Sequence, residues 1–149
     1  MAKRKREKTL PALPCACANL RRAARAVTRM YDRELGPTGL ELSQFTLLMT
    51  LDQAGEITQK ALAAILAMDS TTLTRTLRAI IQSGWVTANP GEDRREKLLS
   101  LSADGRKKFR QALPHWQRAQ IMLRERLGEE TWRAMSTLMV NVASAAIAT

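Results

Sequence analysis

Cysteine, histidine, aromatic residues and long apolar runs are all scarce in this 149-residue chain, and each shortage excludes something. The only two cysteines, Cys15 and Cys17, stand one residue apart and build no disulfide framework, a usage that fits a reducing cytoplasm. The single histidine, His115, leaves little for general-base chemistry. There is also no glycine-rich phosphate loop and no nucleophile elbow, so no catalytic residue is expected and the chain does not read as an enzyme. Glu129 and Glu130 stand at a helix start, where capping and the helix dipole explain them. One Cys-x-Cys and one histidine fall short of a closed zinc site, so neither metal nor cofactor is expected. No apolar run reaches the roughly 18 residues of a membrane span. The best stretch, from Ala134 to Thr149, is interrupted by Ser136, Thr137, Asn141 and Ser144. The basic N-terminus lacks the apolar segment that a secretory signal needs, which again points to the cytoplasm.

What the chain does have is helix-forming apolar residues and positive charge. Aromatics make up 4% and hydrophobic residues 45%, so Leu, Ala, Ile, Val and Met must build most of a core, a composition that favours helices. The formal net charge of +10 draws polyanions such as nucleic acid or anionic lipid, and says nothing about fold.

Residues 1–13 read as a disordered basic arm, with Lys3, Arg4, Lys5, Arg6 and Lys8 followed by Pro11. From about Pro14 to Leu35, apolar positions Leu20, Ala23, Ala24, Val27, Met30 and Tyr31 recur at helical spacing. Arg21, Arg25 and Arg29 form a separate stripe, and Gly36, Pro37 and Gly39 stop the helix. A second, mostly buried helix is predicted over Leu42–Ala54, with Ser43 as its N-cap. Thr58 caps a third, Gln59–Leu66; Ala67-Met68-Asp69 is a tight connection; Asp69 caps a fourth, Ser70–Gln82, which closes at Gly84. The convincing strand signals are Trp85–Ala88 and Lys97–Leu101, a hairpin with a long polar tip over 89–96. Ser102 opens a long helix to about Leu127, in which Pro114 is expected to impose a kink or a break. A last helix, Glu130–Ala148, carries Trp132, Met135, Met139, Val142 and Ala146 on one stripe. The fold class is mainly α: a winged helix-turn-helix with a β-hairpin wing, flanked by N- and C-terminal helices.

The fourth helix carries the functional signal. On a helical wheel Leu73, Leu77, Ile80 and Ile81 share one side, opposite Thr71, Arg75, Arg78 and Gln82, with Thr72 and Thr74 on the flanks. A major groove accepts one helix; an arginine there can bind guanine through two hydrogen bonds, and a threonine can meet phosphate or a thymine methyl. Taken alone, the face equally fits a solvated amphipathic helix; the short helix and turn before it and the basic hairpin after it favour DNA. The tip, from Glu92 to Lys97, alternates acid and base. Asp93 is expected to hold one neighbouring arginine while the other projects into a minor groove, the competing reading being a solvated charged turn. The DNA-binding candidates are therefore Ser70, Thr71, Thr72, Thr74, Arg75, Arg78, Arg94 and Arg95.

These residues resemble the MarR (multiple antibiotic resistance regulator) family of transcription regulators. The likeness runs through Leu62-Ala63, Met68-Asp69, Ser70-Thr71-Thr72-Leu73-Thr74-Arg75, Leu77, Gly84 and Trp85-Val86. It continues into Asp93-Arg94-Arg95, Leu101-Ser102 and Gly105-Arg106. The Asp-x-Arg wing followed by Leu-Ser-x-x-Gly is its most specific part, and the element order matches over about residues 14–147.

The resemblance implies a repressor acting as a homodimer on palindromic double-stranded DNA. Residues 14–35 and 102–149 would supply the dimerisation helices, and 36–101 the DNA-binding lobe. The apolar stripe of the last helix agrees, since it needs a cover and a second subunit supplies one. The resemblance also implies release by a small-molecule effector bound between the dimer helices and the lobe, or by cysteine oxidation. Cys15 and Cys17 are the redox candidates, at the start of the first helix with Arg21, Arg22 and Arg25 further along. The competing reading makes them small thiols without a signalling role. Tyr31, Trp116 and Trp132 read first as core or interface. The reading of a different class is a basic architectural module that binds nucleic acid without sequence preference.

Overall fold

The computed structural model describes residues 10–148. Its elements are α1 (Ala16–Leu35), a 3₁₀ turn (Gly36–Thr38), α2 (Leu42–Ala54), β1 (Glu56–Thr58), α3 (Gln59–Leu66) and α4 (Ser70–Gln82). β2 (Val86–Pro90), β3 (Lys97–Leu101), α5 (Ala103–Leu127) and α6 (Glu129–Ile147) complete the chain. This is the mainly helical winged helix-turn-helix that the residue pattern predicts.

Residues 1–9 of the expected arm lie outside the described residues. The segment just after them is tied to α1. Asn19 accepts from the Leu13 amide (3.0 Å) and donates back to the Leu13 carbonyl (2.7 Å), and Arg22 donates to the Pro11 carbonyl (2.8 Å).

Helix α2 is the centre of the core. Phe45, Leu47, Leu48 and Leu51 are buried, and they meet Leu62 from α3, Leu73, Leu77 and Ile80 from α4, and Leu99 from β3. Phe45 packs against Phe109 (ring centroids 5.4 Å apart) and stacks on Trp116 (5.7 Å), which welds α5 to the lobe and makes Trp116 part of the core. Tyr31 is buried too, its hydroxyl donating to Gln120 at 2.6 Å across the α1–α5 contact.

Several local expectations need correction. The N-cap of α2 is Glu41, not Ser43. Gln44 reaches back to accept the Glu41 amide (3.0 Å), and Asp32 of α1 accepts the Leu42 amide (2.7 Å), so a tertiary partner satisfies an end that the sequence assigned to a serine. Helix α5 runs unbroken through Pro114. Packing of Phe109, Ala112 and Trp116 on both sides of the proline keeps the helix together despite the missing donor. Ile81, expected inside, is 37% exposed, while Leu73, Leu77 and Ile80 suffice to anchor α4.

The sheet is three-stranded and antiparallel in the order β1-β3-β2, rather than a lone hairpin. β1 pairs Ile57 with Leu99 and Thr58 with Leu98; β2 pairs Val86 with Leu101 and Pro90 with Lys97. β1 was invisible as a three-residue segment with no alternation to read, and β2 is displaced from the expected Trp85–Ala88. The sheet matters because β1 leads directly into α3 while β3 leads out of the wing, so one ladder fixes the wing against the helix-turn-helix.

Candidate nucleic-acid interface

The helix-turn-helix is set by two caps and one tight turn. Thr58 accepts the Ala61 amide (3.1 Å) at the start of α3. Helix α3 ends at Ala67 in the left-handed region (φ 49°), with the Met68 amide returned to the Ala63 carbonyl at 3.0 Å. Asp69 then caps α4, accepting from the Thr72 amide (2.8 Å) and the Thr72 hydroxyl (2.7 Å). The hydroxyl bond, followed by the amide bond, holds the Asp69 carboxyl below its ordinary range. Since the folded value is the lowered one, the cap is fully in place above the unfolded carboxyl's pKa and is lost as pH falls through the folded value. At the other end Gly84, with φ of 76°, donates to the Ile81 carbonyl (2.9 Å), while the Trp85 amide returns to Ile80 (3.0 Å). This is a left-handed glycine stop.

Of the six candidates on α4, the fold brings five together. Ser70, Thr71, Thr74, Arg75 and Arg78 are exposed and line one open concavity on the surface of the helix. Thr72 does not join them: it is half-buried, and its hydroxyl is committed to Asp69. Thr74 accepts from the side-chain amide of Gln59 (3.1 Å), a strut from α3 that sequence reasoning did not find. Among the described residues, the ion pairs are Arg118–Glu34, Arg124–Glu129 and Arg133–Glu129, all within α1, α5 and α6. Arg75 and Arg78 therefore present their charge without an acidic partner.

Arg94 and Arg95 are exposed on the wing tip. Contrary to the expectation from the sequence, Asp93 grips neither guanidinium. Its carboxylate accepts the Arg95 backbone amide (2.9 Å) and its carbonyl accepts the Glu96 amide (2.8 Å). An aspartate two residues ahead of an amide closes a local turn more readily than it orders a long flexible side chain. The effect is to shape the tip and leave both arginines unrestrained.

The Leu-Ser-x-x-Gly segment locks the wing to α5. Ser102 donates its hydroxyl to the Gly84 carbonyl (2.6 Å), accepts the Gly105 amide (2.9 Å), and gives its own amide to the Trp85 carbonyl (3.0 Å). A Cβ on Gly105 would lie 1.9 Å from the Trp85 oxygen, so only glycine permits this approach. Lys108 reinforces the junction from above, with its ammonium 4.9 Å from the Trp85 ring centre and donating to the Thr38 carbonyl.

Cys15 and Cys17 are both exposed, the first as N-cap of α1 and the second in its first turn, and they line an open concavity with Arg21 and Arg25. His115 Nδ1 lies 2.9 Å from the Glu34 carbonyl oxygen across the α1–α5 contact and 2.7 Å from the Arg118 guanidinium within α5. Among the described residues no three metal-ligating side chains cluster, and no helix is long and apolar enough to cross a membrane.

Comparison with known proteins agrees with this geometry. The MarR family model matches residues 40–97. The uncharacterized HTH-type transcriptional regulator YwoH of Bacillus subtilis is 36% identical over 90 residues, covering 60% of this chain and 66% of that protein. The multiple antibiotic resistance protein MarR of Salmonella typhimurium is 33% identical over 78 residues, covering 52% of this chain and 54% of its own length. The matched part thus spans between about half and two thirds of these curated relatives. Among solved structures, the transcriptional regulator MosR of M. tuberculosis in complex with DNA is 34% identical, with a TM-score of 0.77 over 90% of this chain and 99% of that one.

Proposed function

This chain belongs to the MarR family of transcription regulators, and from that premise we propose that it is a homodimeric, cytoplasmic repressor that binds a palindromic double-stranded DNA site. Members of the family regulate transcription and are not enzymes. The observation that carries the DNA-binding reading is the concavity of Ser70, Thr71, Thr74, Arg75 and Arg78 on α4, whose two arginines lack acidic partners among the described residues. In each half-site α4 enters the major groove, with Arg75 and Arg78 as base readers and the hydroxyls of Ser70, Thr71 and Thr74 meeting phosphate or thymine methyl. The wing tip carries Arg94 and Arg95 to the DNA, one of them projecting into the flanking minor groove. MosR, solved in complex with DNA, supports the reading by likeness of fold and sequence.

Selection of bound fragments from a random duplex pool tests this. The expected product is a two-fold symmetric sequence preferred by roughly 10³ or more over random DNA at fixed salt. Equal affinity for every duplex would replace the repressor with an architectural module.

Relief of repression, by a small-molecule effector or by thiol oxidation, belongs to the same reading. Both Cys15 and Cys17 are exposed, the access to an oxidant that the thiol route requires. Peroxide should then release DNA from the wild-type protein and fail to release it from the Cys15→Ser/Cys17→Ser variant; release that persists in the variant assigns the signal to another site.

A further inference from the structure

Between the helix-turn-helix and the wing lies a second cationic concavity, lined by Thr58, Gln59, Lys60, Arg95, Glu96 and Lys97. Its position follows from two contacts already described. Gln59 touches α4 through Thr74, so one wall abuts the recognition helix. Thr58 pairs with Leu98 in the β1–β3 ladder, so the opposite wall is the base of the wing and the distance between the walls is set by backbone hydrogen bonds. Lys60, Arg95 and Lys97 are all exposed, and none of them belongs to an ion pair among the described residues. They outnumber the one carboxylate, Glu96, by three to one.

A protein that puts one element into a major groove and another into the adjacent minor groove must straddle the sugar-phosphate strand that separates those grooves. On this molecule the straddling surface is the concavity just described. We infer that Lys60, Arg95 and Lys97 form a seat for the phosphates of that strand, so that neither Lys60 nor Lys97 reads a base and Arg95 serves the backbone while Arg94 alone explores the minor groove. The inference rests on the DNA-binding reading above and divides its labour: α4 selects sequence, and this seat sets register and contributes salt-dependent affinity. Lysine suits the role, since a phosphate asks for a point charge and not for a planar fork.

The test is a salt series with the full chain, on its selected duplex and on a random one. Each lost phosphate contact should flatten the slope of log affinity against log salt by about 0.9. Lys60→Gln/Lys97→Gln removes four contacts from a bound dimer and is therefore expected to flatten it by about 3.6 on both duplexes, with the preference between them retained. Both side chains are exposed, and an unchanged thermal unfolding midpoint verifies that the variant is folded. Arg95→Ala should flatten both slopes by half as much as the lysine variant, whereas Arg94→Ala should alter the preference for A·T-rich flanks. A slope unchanged in the lysine variant overturns the seat, and so does a loss confined to the selected duplex. If the wild-type protein selects no sequence, the repressor reading fails by itself, while the slope on the random duplex still decides the seat.

Discussion

Four threonines on α4 divide between holding the helix and presenting a surface. Thr72 gives its hydroxyl to Asp69, and Thr76 bonds back to the Thr72 carbonyl at 3.1 Å, so both serve the helix itself. Thr71 and Thr74 are exposed beside Arg75 and Arg78. Because Thr74 accepts from Gln59, its own hydroxyl proton is available to an outside acceptor. Among the described residues, no carboxylate pairs with Arg75 on this surface. Arg75→Ala is expected to relax discrimination at one base pair in each half-site, at a cost of about 1–3 kcal/mol. Competition binding with single-base operator variants measures this. A uniform loss over all duplexes would move Arg75 from base reading to phosphate contact.

At the scale of elements, what sets the wing is the junction of α4, β2 and α5. The carbonyls of Gly84 and Trp85 and the amide of Gly105 all converge on Ser102, whose hydroxyl and backbone together satisfy three groups that would otherwise be left open. The cap is also what brings Gly105 against the Trp85 carbonyl. Gly105→Ala places a methyl inside the contact radius of a backbone oxygen, which cannot rotate away as a side chain can. Overpacking of this kind costs about 1–3 kcal/mol, and the upper half of that range is expected here. Urea denaturation gives the value directly; a midpoint equal to that of the wild type would show that the start of α5 is free to shift. The same variant should weaken DNA binding through displacement of the wing, without changing which sequence is preferred.

For the whole molecule, the distribution of exposed apolar surface is uneven. The lobe built on α2 buries most of its large apolar side chains, Ile65 and Ile81 apart, whereas α6 has no buried residue at all, and Leu138, Met139, Val140 and Ile147 are 41–65% exposed. The first half of α1 is in the same position, with Ala23 and Ala24 open to solvent. Two helices with uncovered apolar faces at the chain's two ends are what a two-fold partner would bury. Leu138→Asp combined with Met139→Asp is accordingly expected to convert a dimer into a monomer at micromolar concentration, as read by sedimentation equilibrium. The lobe should keep its fold, and operator affinity should drop by a factor of 10 or more, since one half-site is then bound without the other (about 1.4 kcal/mol for each tenfold loss). A variant that remains dimeric would place the interface elsewhere.

The features legible in the residue order are those whose hydrogen bonds close within three or four positions. Thr58, Asp69 and Ser102 were identifiable as caps because each accepts an amide three residues ahead. The inner face of α4 was legible for a similar reason, since Leu73, Leu77 and Ile80 recur with the period of a helix. Decisions that depend on a distant segment escaped such reading. Asp32 helps Glu41 displace Ser43 as the start of α2, and α5 stays whole across Pro114 because Phe45 grips it on both sides. β1 exists only because β3, over forty positions later, supplies its partners. The same ladder placed Lys60 beside Lys97 and so created a cationic cleft from residues that were unremarkable one at a time. Local bonding can specify elements and their faces; the meeting of two surfaces requires the chain to have closed on itself.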